Sequence, residues 1–294
     1  MYVAEEREGF RRWLEARKVS PATVAIYLSG LVRFEAGHAD VDLRAVTRQD
    51  IEAHAAALKS AGLAPSTVHI WLRGLGRFFE YLVETQRLLV SPMSGLRLKP
   101  PKILPGPSLT EKQADRLLLS PNTGLPQGIR DRAVLELCYA TGLRRKEMCG
   151  LAVYDVDLDG GVVRVRHGKG DRERLVPLSR EACRWLGEYL REIRPRAARR
   201  NSIVRALFLG RSGQALTPGA LDQILLKHGR AAGLRRVSCH ALRRTVATAL
   251  LRGGADVVSV SQVLGHANLK TTERYTRVVA ADVRAVHART HPRR

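Results

Sequence analysis

The sequence predicts a mainly α-helical protein of two domains, the second of which contains a small antiparallel β-meander. Three observations support this. Apolar residues recur at helical spacing along most of the chain, strand-like alternation is confined to residues 155–177, and a proline-rich stretch interrupts residues 96–107. The length of 294 residues fits two domains of about 150 residues each. The 45% of hydrophobic residues can supply each domain with a core.

The first domain, residues 1–95, shows clear helix starts. Ser20 is a typical N-cap before Pro21, Thr47 opens a capping box ahead of a helix, and Pro65 stands at another first helical position. Apolar residues follow each start at helical spacing. We therefore expect this domain to be entirely helical.

Two of these helices match each other in sequence. PATVAIYLSGLVRF at 21–34 and PSTVHIWLRGLGRF at 65–78 are identical at nine of fourteen positions, which indicates a duplicated helical hairpin. Gly30 and Gly74 occupy equivalent places inside these helices, where glycine costs about 1 kcal/mol relative to alanine. We expect a close approach at each glycine, made either by a crossing helix or by a DNA phosphate.

Residues 96–107 read LRLKPPKILPGP and contain four prolines, so this stretch cannot continue a helix. We interpret it as an extended linker whose lysines suit a phosphate backbone. The second domain then covers residues 108–294.

The second domain opens with a capping box from Thr110 to Gln113. Residues 131–141 are mostly apolar and predict a buried helix. Residues 155–177 alternate in strand fashion, with turns at Asp159-Gly160 and at residues 168–170, and so predict the meander.

Helical periodicity returns after the meander. The predicted helices cover residues 180–194, 218–232, 240–251 and 257–264. Residues 191–200 carry five arginines and one acid, and predict either a DNA-facing loop or a solvated basic turn.

Composition excludes several classes of protein. No apolar run approaches the roughly 18 residues of a membrane span, and no signal-peptide pattern opens the chain. The four cysteines form no CxxC pair, so a disulfide framework or a zinc cluster is disfavoured and a reducing cytoplasm is expected.

The chain carries a net charge of +22, and the charge is unevenly distributed. The first 107 residues hold 15 basic and 11 acidic residues, whereas the remainder holds 35 and 17. Genomic base composition could explain the preference for arginine over lysine, but not the excess of bases over acids. A polyanionic partner is indicated, and nucleic acid is the usual one. A ribosomal or membrane-surface protein remains an alternative at this point.

Motifs for nucleotide or metal chemistry are absent: the sequence has no GxxxxGK[ST], GxGxxG or HExxH, and no paired-carboxylate cluster that suggests a two-metal nuclease. The second domain instead has arginine, lysine, histidine and tyrosine in short motifs bounded by turns. Such residues suit phosphoryl transfer without a metal, because guanidinium groups hold the charged phosphate oxygens. The candidate site residues are Arg144, Lys169, His240, Arg243, His266 and Tyr275.

Each candidate has an ordinary alternative. The arginines could lie on the surface, Lys169 could be a solvated turn residue, the histidines could be core or capping residues, and Tyr275 could simply pack. The functional interpretation depends on their joint occurrence and order.

That order resembles the tyrosine recombinases, also called the phage integrase family, and is most similar to the Xer-type members. The resemblance covers nearly the whole chain. It rests on four segments, which are YATGLRRKEMCGL, VRVRHGKGDRERLVPL, HALRRTVATALL and LGHANLKTTERYTRV. It implies a helical core-binding domain followed by an α+β catalytic domain.

The resemblance also implies a role for each candidate. Arg144 and Arg243 would bind the scissile phosphate with support from His266, and Glu147 stands where the family often has a supporting carboxylate. For Glu147 we expect a structural role only.

The remaining three groups would carry out the chemistry. Tyr275 would be the nucleophile, His240 the general acid/base beside it, and Lys169 the general acid for the leaving 5′ oxygen. No ATP, metal or other cofactor is implied.

Departures from the family pattern are mild. Arg244 replaces the second histidine of HxLRH, YTR replaces YTH, and RRKE replaces a more neutral run after Arg144. These changes remove none of the catalytic groups, although they bear on specificity and on the choice of partner. A type IB-like DNA-relaxing enzyme and a non-catalytic DNA-binding factor are the alternatives.

The implied partners are double-stranded DNA with inverted half-sites and further recombinase subunits, which together form a tetramer on DNA. These further subunits could be copies of this chain or could include a related second recombinase. Residues 278–288 predict a tail helix that docks in a neighbouring subunit, as the family's C-terminal helix does.

Overall fold

A computed structural model describes residues 1–38, 41–101, 108–166, 173–199, 203–235 and 237–265. The chain divides into two compact units, Met1–Leu104 and Pro105–Arg294. Over the described residues, helices form the regular structure of both units apart from one small sheet in the second, so the predicted fold class is confirmed.

The described part of the first unit is built on four helices. They are α1 (Val3–Ala16), α2 (Pro21–Glu35), α3 (Arg48–Ser60) and α4 (Pro65–Glu84). The predicted caps are present: the Ser20 side chain accepts a hydrogen bond from the Thr23 amide, and Thr47 and Asp50 form the capping box. The aromatic rings of Phe10, Phe34, Phe78 and Phe79 are fully buried in its core.

Gly30 and Gly74 lie where α2 and α4 cross, and the contact is reciprocal. A Cβ at Gly30 would lie 3.0 Å from Trp71 Cα, and a Cβ at Gly74 would lie 3.0 Å from Tyr27 Cα. The aromatic residues occupy matching places in the two copies of the repeat. The predicted close approach is confirmed, and crossing helices rather than a phosphate account for it.

This crossing yields a stability prediction. We expect Gly74→Ala to destabilise the first unit by about 1–3 kcal/mol, because overpacking outweighs the roughly 1 kcal/mol of helix propensity that alanine adds. The matched control is Gly76→Ala in the same helix, where the new Cβ would meet only Met93 Cε, at 3.6 Å. Urea unfolding checks both variants. Equal stability of the two variants would contradict the prediction.

The helices of the second unit lie before and after the sheet in the sequence. They are α5 (Glu111–Leu119), α6 (Pro126–Thr141), α7 (Arg145–Gly150), α8 (Arg180–Glu188), α9 (Arg194–Ala198), α10 (Pro218–Ala231), α11 (Cys239–Arg252) and α12 (Val257–Leu264). α6 is buried on nearly all sides and packs against α5, α8 and α11, so it is the central helix of this unit. Its placement sets the position of the loop that follows it.

The predicted meander is present as an antiparallel sheet with strand order β1-β2-β3. The strands are β1 (Val156–Asp157), β2 (Val162–Val165) and β3 (Arg174–Pro177). In the register of β2 and β3, Val163 pairs with Val176, and both side chains are buried. The connection between β2 and β3, which contains Lys169, includes residues outside the described ranges.

The structure corrects three expectations. The helix predicted for residues 131–141 begins earlier, because Pro126 occupies its first turn. Residues 191–198 are helical and do not form the predicted loop or turn: a π-helical turn at Tyr189–Ile193 leads into α9, and the Arg194 guanidinium donates to the carbonyls of Val204 and Ala206. α7 was not predicted, since six residues are too few for a periodic signal.

Within the described parts of the chain, none of the helices combines the length and the apolar character that crossing a membrane requires. The four cysteines are free thiols.

Candidate active site

The loop after α6 places Arg144 at the start of α7. Gly142 ends α6 in the left-handed conformation, with φ of +58°, and its amide donates to the Cys138 carbonyl. Leu143 is buried, so the chain is anchored before it reaches Arg144. Arg144 is the N-cap of α7, and its amide donates to Glu147 Oε2 at 2.8 Å.

Arg243 and His240 lie one turn apart on α11, as their spacing predicts. Arg243 is only 3% exposed, which is unusual for an arginine. Its Nη1 donates to the Gly142 carbonyl at 2.9 Å, and its Nη2 donates to the Leu264 carbonyl. The buried guanidinium thereby fastens the loop after α6 to the end of α12.

α12 ends at Gly265, which is left-handed with φ of +65°. Three guanidinium groups donate to the last carbonyls of this helix: Arg174 to Val263 at 3.1 Å, Arg243 to Leu264, and Arg144 to Gly265 at 2.6 Å. The last carbonyls of a helix lack partners within the helix and carry the negative end of its dipole, so cations stabilise them.

Glu147 is the single acidic side chain in contact with this cluster among the described residues. Its carboxylate accepts from Arg144 Nη1 at 2.7 Å and from both terminal nitrogens of Arg174 at 3.1 and 2.9 Å. Burial of the carboxyl opposes ionisation, but the hydrogen bonds from Arg174 and the Arg144 amide hold the pKa of Glu147 below its ordinary value. The carboxylate is therefore ionised at neutral pH.

His240 is exposed to solvent, yet nearby protein atoms partly desolvate its ring. That desolvation is the largest cause of a lowered pKa, and the positive charges of Arg243, Arg244, Arg144 and Arg145 add to it. The imidazole is consequently neutral at pH 7 and can accept a proton.

The structure thus brings Arg144 and Arg243 to the end of α12, and it places His240 on α11 close enough for the charges of both arginines to act on its ring. Lys169, His266 and Tyr275 lie outside the described residues. In the described part of the chain, no group of three or more His, Cys, Asp or Glu side chains could hold a metal ion.

Arg174 was not predicted from the sequence. One available signal was its position in β3, since Arg174 and Val176 lie two residues apart and so share the face of the strand that Val176 buries. An arginine on an inward face requires a partner, and Glu147 is that partner.

Positively charged groups dominate the cluster, so its chemistry favours an anion. Arg144 keeps 24% of its side chain exposed, and His240 is exposed beside it. Guanidinium groups with a neutral imidazole next to them can bind a phosphate and accept a proton from an attacking hydroxyl.

Comparison with known proteins identifies related sequences. Residues 107–281 match the phage integrase family, and residues 8–86 match the phage integrase N-terminal SAM-like domain. The chain is 39% identical over 297 residues to tyrosine recombinase XerC of Myxococcus xanthus, with 97% of each chain covered. It is 38% identical over 288 residues to tyrosine recombinase XerD of Yersinia pestis, covering 96% of this chain and 94% of that one.

Solved structures show a similar fold. The XerH recombinase bound to a palindromic difH substrate superposes with a TM-score of 0.77 at 23% identity, covering 92% of this chain and 81% of that one. A lambda integrase dimer bound to a COC′ core site gives a TM-score of 0.75 at 17% identity, covering 94% and 95%. At these identities the likeness concerns the fold.

Proposed function

The chain belongs to the phage integrase family of tyrosine recombinases, and from that premise we propose that it is a site-specific DNA recombinase of the Xer kind. It cleaves and rejoins DNA through a 3′-phosphotyrosyl intermediate within a synaptic tetramer. Its biological task is resolution of chromosome or plasmid dimers, or integration of a mobile element.

The single observation that carries this proposal is the convergence of Arg144 and Arg243 on the carbonyls at the end of α12, with the His240 ring close to both positive charges. Both guanidinium groups are held in place, Arg144 by Glu147 and Arg243 by the Gly142 and Leu264 carbonyls. Guanidinium groups fixed in this way can stabilise the charge that develops on a phosphate in the transition state without reorganising. His266, which directly follows Gly265, is proposed to support the same phosphate.

We propose the following steps, with the three reacting groups assigned from the family resemblance. The Tyr275 oxygen attacks the scissile phosphorus and its proton passes to His240, while the bond from phosphorus to the 5′ oxygen breaks and Lys169 protonates that oxygen. A 5′-hydroxyl of the partner strand then attacks the phosphotyrosine and gives its proton to Lys169, while the bond from phosphorus to the Tyr275 oxygen breaks and His240 returns a proton to that oxygen. The phosphodiester energy is conserved, so neither ATP nor a metal is required.

The proposed partner is double-stranded DNA with inverted half-sites, and the named relatives are recombinases of the same kind. Both units have a net positive charge, but the excess is concentrated after residue 107. Phosphate contacts should dominate the affinity, and contacts to bases should be fewer. The proposed location is the cytoplasm, where chromosomal and plasmid DNA is accessible.

We propose the domain limits 1–95, 96–107 and 108–294 for the core-binding domain, linker and catalytic domain. The tail helix at about 278–288 is proposed to dock in an adjacent subunit, identical or related, and so to link the tetramer in a ring. The division of the chain into two compact units, between Leu104 and Pro105, falls within the proposed linker and supports these limits.

Covalent capture tests the function. The protein is incubated with genomic DNA, denatured and recovered, and the attached DNA is sequenced. Recombinase activity predicts adducts at one recurrent sequence with inverted halves. Rapid relaxation of supercoiled plasmid without such a sequence would instead indicate the type IB-like alternative, and DNA binding without adducts would indicate a non-catalytic factor.

The lowered pKa of His240 predicts the pH dependence of cleavage. In the enzyme without DNA, the pKa of His240 lies below the ordinary histidine value of about 6.5. The cleavage rate at low DNA concentration should therefore stay level down to about pH 6.5 and fall only at lower pH, where His240 becomes protonated. Cleavage of the captured site from pH 5 to 8 measures this. The His240→Asn variant should cleave more slowly, and its rate should not show this fall at low pH. A fall in rate centred at or above pH 6.5 in the unmodified protein would contradict the prediction.

A further inference from the structure

Arg174 contacts more parts of the candidate active site than its place in a strand suggests. From β3 its Nη1 and Nη2 donate to the two carboxylate oxygens of Glu147, and its Nε donates to the Val263 carbonyl. The guanidinium also lies flat against Gly265, where a Cβ would stand 2.8 Å from its Cζ. The side chain of Arg174 thus connects its own strand β3 to α7 and to the end of α12.

Arg174 and Arg144 share Glu147 as a partner, and each donates to a different carbonyl at the end of α12. Glu147 is held at two points by Arg174, a geometry that the planar guanidinium provides and an ammonium does not. The orientation of the carboxylate that holds Arg144 is therefore set by Arg174.

Burial distinguishes the two arginines. The Arg174 side chain is 11% exposed and directs three of its five N–H groups into the protein, whereas Arg144 remains 24% exposed. Arg144 is placed to meet a phosphate, and Arg174 is placed behind it. Gly265 is required for this arrangement, both for its positive φ and for the space that the guanidinium occupies.

Sequence position gives these contacts a further meaning. Arg174 follows Lys169 by five residues, and Gly265 directly precedes His266. The hydrogen bond from Arg174 to the Val263 carbonyl therefore joins β3 to α12. β3 follows Lys169 in the sequence, and α12 precedes His266 and Tyr275.

We propose that Arg174 is a positioning residue for DNA cleavage, acting through Glu147 to hold Arg144 at the scissile phosphate and fastening β3 to the end of α12. This inference rests on the proposed function.

The test compares Arg174→Met with the unmodified protein on two nicked duplexes built on the captured site. One carries the ordinary scissile phosphodiester, and the other carries a methylphosphonate, which is neutral and needs less neutralisation by Arg144. We expect the variant to cleave the phosphodiester about 10²-fold more slowly, the size of effect that a displacement of about 1 Å produces. On the methylphosphonate the defect should shrink to a few-fold.

Controls separate this role from others. Arg184→Met removes the same charge from an exposed pair with Glu181 on α8 and should cleave both duplexes normally. Arg174→Lys, which keeps the charge but lacks the planar fork, should be intermediate. DNA affinity and its salt dependence should be unchanged in Arg174→Met.

Two results would overturn the inference. Equal slowing on both duplexes would mean that Arg174 acts only through stability. If the slope of log DNA affinity against log salt concentration is smaller by about one in Arg174→Met, Arg174 binds a phosphate directly.

A measurement without DNA makes the inference separable from the proposed function. In ¹⁵N NMR of the full chain, the Arg144 side-chain N–H protons should exchange with water at least tenfold faster in Arg174→Met and in Arg174→Lys, but not in Arg184→Met. If the unmodified protein captures no DNA, the proposed function fails while this measurement still decides the positioning. Unchanged exchange in both Arg174 variants would overturn the positioning role.

Discussion

Replacing Tyr275 with phenylalanine should abolish the covalent adduct with DNA while leaving DNA binding intact. The substitution removes only the phenolic oxygen, which is the proposed nucleophile, so no phosphotyrosine can form. Removing the nucleophile of a well-characterised enzyme costs about 10⁶-fold in rate, so the adduct should fall below detection. Denaturing gels measure the adduct, and gel shift at fixed salt measures binding.

Tyr154→Phe is the matched control. Tyr154 is exposed in the second unit and lies beneath the Arg166 guanidinium, which is 4.6 Å from its ring centre. This variant should form the adduct at the unmodified rate. An adduct that persists in Tyr275→Phe would show that another residue is the nucleophile, and the assignment would have to be withdrawn.

Replacing Lys169 with alanine should slow cleavage by about 10²- to 10⁴-fold, the usual contribution of general acid catalysis. The defect should largely disappear when the leaving 5′ oxygen is replaced by sulfur. A thiol has a pKa of about 8.5, so a thiolate departs without being protonated. Single-turnover cleavage of matched oxygen and sulfur substrates measures the effect.

The exposed Lys112 on α5 provides a control that removes the same charge. Lys112→Ala should cleave both substrates at the unmodified rates. If Lys169→Ala is slowed equally on oxygen and sulfur, Lys169 is not the acid, and its contribution is instead to binding or to folding.

Local patterns predicted most of the fold. Capping residues such as Ser20 and Thr47 marked helix starts because they satisfy amide groups within a few residues of themselves. The internal repeat predicted a close approach at Gly30 and Gly74, since a glycine inside a helix needs a compensating contact, and the structure shows that the crossing of α2 and α4 makes it. The π-helical turn at Tyr189–Ile193 and the short α7 escaped prediction, because neither leaves a periodic signal.

For the candidate site, the sequence by itself determined which residue types occur and in what order, and thereby the family. The pairing of Arg174 with Glu147, 27 positions apart, and of Arg144 with the Gly265 carbonyl, 121 positions apart, was decided only by the tertiary structure. The physical reason is that turn and helix signals act over a few residues. A buried charge, by contrast, takes whichever partner the packing of α7, α12 and β3 brings within hydrogen-bond distance.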